Sequence, residues 1–126
     1  MTQVRRVYVP VTASQLRTLL ADRRLPLAAG FAVTPSLQDW YGTGDDEQLE
    51  HAACFRASES AAAGTRRIVL PLEVPESGVE DVGTSDDPGA VRITAVIELS
   101  WVAAILAGDD EDLAWYGVQE ADQVLD

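Results

Sequence analysis

Val4-Arg5-Arg6-Val7-Tyr8-Val9-Pro10-Val11 runs straight into Thr12-Ala13-Ser14-Gln15-Leu16, and the reading of this junction decides the fold class. The first eight residues are rich in β-branched and aromatic side chains, which fit a pleated surface. They predict a strand over about 4–9, stopped by Pro10. Thr12 and Ser14 carry the short hydroxyl side chains that satisfy orphan amides at a helix start. Leu16, Leu19 and Leu20 then repeat at i, i+3, i+4 and predict a helix over about 13–22. Arg23 and Arg24 suit the negative end of its dipole.

Outward from this β–α start the signals alternate. Phe31-Ala32-Val33 reads as a short strand. Thr34-Pro35 reads as N-cap and first helical residue, because proline pre-sets φ and lacks only an amide that would be orphaned anyway. Leu37, Trp40 and Tyr41 fall on one face of that helix, which ends near Gly42. Asp45, with Gln48 three residues on, opens a third helix, and Asp46 and Glu47 favour its positive end. Leu49, Ala52, Ala53 and Arg56 share a side, and Gly64 is the expected stop.

Ile68, Leu70, Leu72 and Val74 alternate in a strand over Arg66–Val74, with Pro71 expected at an edge or a bulge because it lacks a ladder donor. Residues 75–90 are acidic and rich in Gly, Pro and Ser, and read as a flexible loop. Val91–Ile97, Val102–Leu106 and Leu113–Val118 follow as strands, with a turn at Asp109–Asp112 and a short helix over Glu120–Leu125.

The order β–α–(β)–α–α–β–β–β–β predicts one α+β domain over residues 1–126. The sheet is mixed or antiparallel, of about four or five strands, with two or three helices mostly on one face. The 126 residues suffice for one core.

Composition narrows the function classes. Lys is absent, and nine Arg stand against 21 acidic residues for a net charge of −12, which argues against a nucleic-acid backbone as partner. The charge is uneven. Residues 1–67 hold eight Arg and seven acids, net +1; residues 68–126 hold one Arg and fourteen acids, net −13. That asymmetry suits a basic protein partner or head-to-tail self-association. No apolar run is a comfortable bilayer span, and no signal-peptide pattern opens the chain, so neither a membrane nor export is expected and the cytoplasm is. Cys54 is the only cysteine, so no intramolecular disulfide forms.

Residues with chemistry are few. His51 and Cys54, three apart on one helix face, are two metal ligands where a closed site needs four, so no metal and no cofactor are expected. His51 is also the only histidine available for acid–base work. No catalytic motif stands out, and the balance leans away from an enzyme. Two adjacent pairs, Trp40-Tyr41 and Trp115-Tyr116, supply half of the eight aromatics. Aromatics with a polar edge suit a pocket wall or an interface. Arg6, Tyr8 and Gln119 are the polar groups that would complete it, with Glu120 or Glu50 as the ionisable group and His51 or Tyr8 as its helper. The expected binding set is therefore Arg6, Tyr8, Trp40, Tyr41, Trp115, Tyr116, Gln119 and Glu120.

Four segments together carry a resemblance: Arg6-Val-Tyr-Val-Pro10, Phe31-Ala-Val-Thr-Pro35-x-Leu37-x-x-Trp40-Tyr41, Glu47-x-Leu-Glu50-x-Ala-Ala53, and Trp115-Tyr116-x-x-Gln119-Glu120. The set resembles a family of small uncharacterised actinobacterial proteins, a domain of unknown function. The resemblance implies no activity, cofactor or catalytic residue. The leading expectation is a non-enzymatic protein acting through a protein partner or through self-association. The alternative is a small-molecule binder or small enzyme with a pocket between the two Trp-Tyr pairs.

Overall fold

A computed structural model describes residues 3–26, 29–42, 44–61, 66–109 and 113–125. The chain is α+β. Strand β1 spans Val4–Val11, helix α1 Ala13–Asp22, β2 Arg24–Leu25, β3 Ala29–Phe31, helix α2 Pro35–Tyr41 and helix α3 Asp46–Ser60. Then come β4 (Arg67–Pro75), β5 (Val79–Asp81), β6 (Ala90–Ile93), β7 (Ile97–Glu98), β8 (Ile105–Gly108), β9 (Ala114–Tyr116) and helix α4 (Ala121–Leu125). Seven strands form one sheet in the order β5-β6-β3-β1-β4-β8-β9, and β2 pairs with β7 separately. Every pairing is antiparallel.

The sheet thus has seven strands rather than four or five. The additional pairings involve strands of two to four residues, too short for periodicity to reveal; their partners lie elsewhere in the sequence. Strand β5 falls inside the acidic stretch 75–90, which also holds a 3-10 turn at Glu76–Gly78.

The helices also lie on both faces of the sheet, not mostly on one. Val7, Val9 and Val11 of β1 pack with Leu70 and Leu72 of β4, Leu16 and Leu19 of α1, and Ala121 and Val124 of α4. Tyr8, Phe31 and Val69 pack with Leu37 of α2 and with Ala52, Ala53 and Ala57 of α3. Alternate residues of a strand face opposite sides, so both faces are buried. The small residues of α3 let it lie close to the strands.

The helix starts are built as their caps predict. Thr12 accepts from the Gln15 amide and Gln15 reciprocates, a capping box. Thr34 accepts from the Leu37 amide, with Pro35 at the first position. Asp45 and Gln48 make a second reciprocal pair at α3. Helix α1 ends on Arg23 at φ 64, the one non-glycine residue with positive φ among those described. The expected stop at Gly64 and the turn residues Asp110–Asp112 lie outside the described residues.

Pro10 and Pro71 fare differently against expectation. Pro10 does not stop β1, which continues to Val11 with Pro10 opposite Val69. Proline's fixed φ is compatible with an extended strand; only its missing amide matters. Pro71 sits on β4, a central strand rather than an edge, directly opposite Tyr8. The expected bulge is there, however: Val69 pairs with Leu106 while Leu72 bridges Val102, which leaves one extra residue on the 103–105 side. The regular β4–β8 ladder covers Arg67–Val69 and ends before Pro71. Beyond that point the Pro71 carbonyl accepts from the Ala103 amide at 2.9 Å. The chain at 103–104 therefore leaves the regular ladder beside a residue that has no amide to give.

Candidate functional site

That departure helps shape a cleft of about 520 Å³ on the face of the sheet that carries α3. One wall is a stripe of α3: Glu47, Glu50, His51 and Cys54, at i, i+3, i+4 and i+7. The floor comes from the sheet: Arg6 and Tyr8 of β1, Pro71 of β4, Ala103 and Ala104, and Leu106 of β8. Trp115 of β9 forms the far side, opposite Leu106 in the β8–β9 pairing and 66% exposed. The size is that of an ordinary small-molecule site.

Two contacts organise the polar groups. Tyr8 Oη donates to Glu50 Oε2 at 2.8 Å, tying the centre of the sheet to α3. Arg6 donates to Glu73 Oε1 from Nε at 3.1 Å and also from a terminal nitrogen, and the two residues face each other across β1 and β4. Burial first, then the bond to the Glu50 carboxylate, push the Tyr8 phenol well above its ordinary value. Burial, with the Glu50 charge adding to it, likewise raises the Cys54 thiol. Tyr8 is accordingly a hydrogen-bond donor at neutral pH rather than a base. Cys54 is a neutral thiol rather than a nucleophile.

Of the expected binding residues, Arg6, Tyr8 and Trp115 meet in this cleft, together with Glu50 and His51. Trp40 lines a different hollow of about 580 Å³ with Ser36, Asp39, Asp81, Thr84 and Ser85. Tyr41 lies beside it, ring centroids 6.5 Å apart. Arg56 holds that end together. It reaches Asp87 at 2.6 Å and the Pro88 carbonyl at 3.3 Å, and its guanidinium lies over the rings of Phe31 and Trp40. Tyr116 packs against the opposite face of the sheet, its hydroxyl 3.5 Å from Arg66. Gln119 is exposed, and Glu120 accepts from the Gly117 amide at 3.0 Å as a local cap. The two Trp-Tyr pairs thus line separate regions.

The lining residues outside the expected set were Glu47, Cys54, Pro71, Leu106 and the alanines at 103 and 104. The α3 spacing that joins His51 to Cys54 also reaches back to Glu47 and Glu50, and that stripe was the available signal. Among the described residues no group of three or more His, Cys, Asp or Glu could hold a metal ion, and no helix is long and apolar enough to cross a membrane.

Fold and cleft together define a small α+β protein with an antiparallel sheet sandwiched between helices and a polar cleft beside α3. Residues 5–111 match a family of unknown function (DUF6912), and the chain belongs to that family. No curated protein and no solved structure matches it.

Proposed function

We propose that the protein is a small-molecule-binding protein whose ligand enters the cleft between α3 and Trp115. The observation that carries this reading is the convergence of Arg6, Tyr8, Glu50, His51 and Trp115, from three separate stretches of chain, around one hollow of ligand size. The test is a small-molecule library screened by thermal shift. Hits are expected to lose their effect in Trp115→Ala and keep it in Trp40→Ala. Hits equally insensitive to both substitutions would refute the reading.

A second reading, a protein partner or self-association, draws on Trp40 and Tyr41, which are 53% and 43% exposed side by side. Light scattering after size-exclusion at low and high salt tests it; a monomer at both salts removes the self-association form. The absence of Lys and Asn, whose codons are AT-rich, and the family resemblance support an actinobacterial origin.

A further inference from the structure

The cleft's charges do not balance, and the imbalance points to one chemical class of ligand. Arg6, the one guanidinium in the lining, is already forked onto Glu73 across the strand pair. The Tyr8 proton is already given to Glu50 Oε2. The two strongest donors at the floor are therefore engaged. What is left over is acceptor capacity: Glu50 Oε1 and both Glu47 oxygens take no hydrogen bond and form no ion pair with the described residues. An anion entering here would meet two carboxylates and no free guanidinium. A cation would meet two carboxylates spaced i, i+3 on α3, Glu47 and the remaining oxygen of Glu50.

The rest of the lining fits the same ligand. Across from the carboxylates stands Trp115, the most exposed large hydrophobic side chain among those described, at 66%. An indole face attracts an organic cation through its quadrupole. Between them Pro71, Ala104 and Leu106 give an apolar floor on which methylene groups would lie. A floor of Pro71, Ala104 and Leu106 makes a poor seat for a bare, hydrated metal ion. It suits the body of an amine.

Resting on the cleft assignment above, we propose that the cleft takes a small organic cation, an amine or guanidinium with a short alkyl body, its charge against Glu47 and Glu50 and its body against Trp115.

The test uses the whole chain, isotope-labelled for NMR, with three probes of matched shape: n-butylammonium, butyrate and 1-butanol. The Trp115 indole signal, assigned with Trp115→Phe, is followed up to about 10 mM, where a millimolar Kd already moves it. Butylammonium is expected to shift that signal, butyrate and butanol to leave it. Glu50→Gln keeps an acceptor for Tyr8 and is expected to weaken butylammonium binding about tenfold; Glu80→Gln, on β5, is expected to leave it unchanged. Should butyrate or butanol shift the signal as strongly, the cation is overturned while the cleft stands. Equal affinity in Glu50→Gln also overturns it. Silence from all three probes overturns the cation, and the library screen then decides separately whether the cleft binds anything.

Discussion

Replacing Tyr8 by Phe removes one oxygen and tests how the sheet is tied to α3. Its hydroxyl donates to Glu50 at 2.8 Å while the ring is almost fully buried. A hydrogen bond to a charged group is worth about 1.5–3 kcal/mol. Glu50 is partly exposed and water will take over some of the lost contact, so the expected loss is about 1–2 kcal/mol. Over 126 residues, an unfolding entropy of about 2 cal/mol/K per residue converts 1 kcal/mol into about 4 °C. Tm should then fall by about 4–8 °C, with the urea midpoint falling and its slope unchanged. Glu50→Gln keeps a neutral acceptor and should cost less than Tyr8→Phe. The double variant should show a coupling of about 1 kcal/mol.

The same bond sets an alkaline signature. The folded chain holds the Tyr8 proton more tightly than the ordinary value of 10.0 allows. Its contribution is therefore complete below about pH 10 and drains away as pH rises, because the unfolded phenol ionises first. The stability gap between the natural chain and Tyr8→Phe should narrow above pH 10. Ultraviolet titration of the three tyrosines should show one that ionises only as the chain unfolds, and Tyr8→Phe should abolish that lag. A loss below about 0.3 kcal/mol in Tyr8→Phe, or no lagging tyrosine, would refute the reasoning.

Three further outcomes are expected. In Gly30→Ala the new Cβ would lie 2.7 Å from Val7 Cγ1 and 3.0 Å from the Tyr8 carbonyl; separating β3 from β1 should cost about 2–4 kcal/mol in chemical denaturation, and a neutral result would mean the strands are not so close. Arg23→Gly relieves the φ of 64 at the end of α1 and should raise stability by about 0.5–1 kcal/mol, read as a higher urea midpoint; a decrease would show that the Arg23 side chain contributes more than its backbone strain costs. Cys54 should react with iodoacetamide at least about tenfold more slowly in the folded chain than in urea at the same pH, since burial keeps its thiol protonated; equal rates would place it at the surface.

The helix starts were readable because caps are local. Thr34-Pro35 and Asp45 with Gln48 act within four residues, so their chemistry is visible without knowing the fold. The number of strands was not, because β3 and β5, three residues each, exist through partners far away in sequence. The two-sided burial did leave a trace. Ile68 to Leu72 is apolar at every position, not at alternate ones, which is what a strand covered on both faces requires. Reading only its alternation put the helices on one side. For the site, Tyr116 next to Trp115 illustrates what period two enforces: neighbours on a strand look opposite ways, so Trp115 reaches the cleft while Tyr116 faces the other core. Pro71 was legible as an irregularity but not as a wall of the cleft, since nothing in β4 says where residues 103 and 104 will lie.

The register of β1 has a consequence for how the molecule is reached as well as for what it is. Val11 pairs with Ile68 and Val4 with Pro75, so the first strand meets its main partner about half a chain later. A chain emerging from synthesis presents β1 and α1 well before β4 exists to cover them. Pairing so distant in sequence makes the entropy of loop closure precede its reward, which slows folding relative to a helical protein of the same length. Refolding from denaturant should accordingly be slow for a chain this small, with the β1–β4 register as the step that the other strands await.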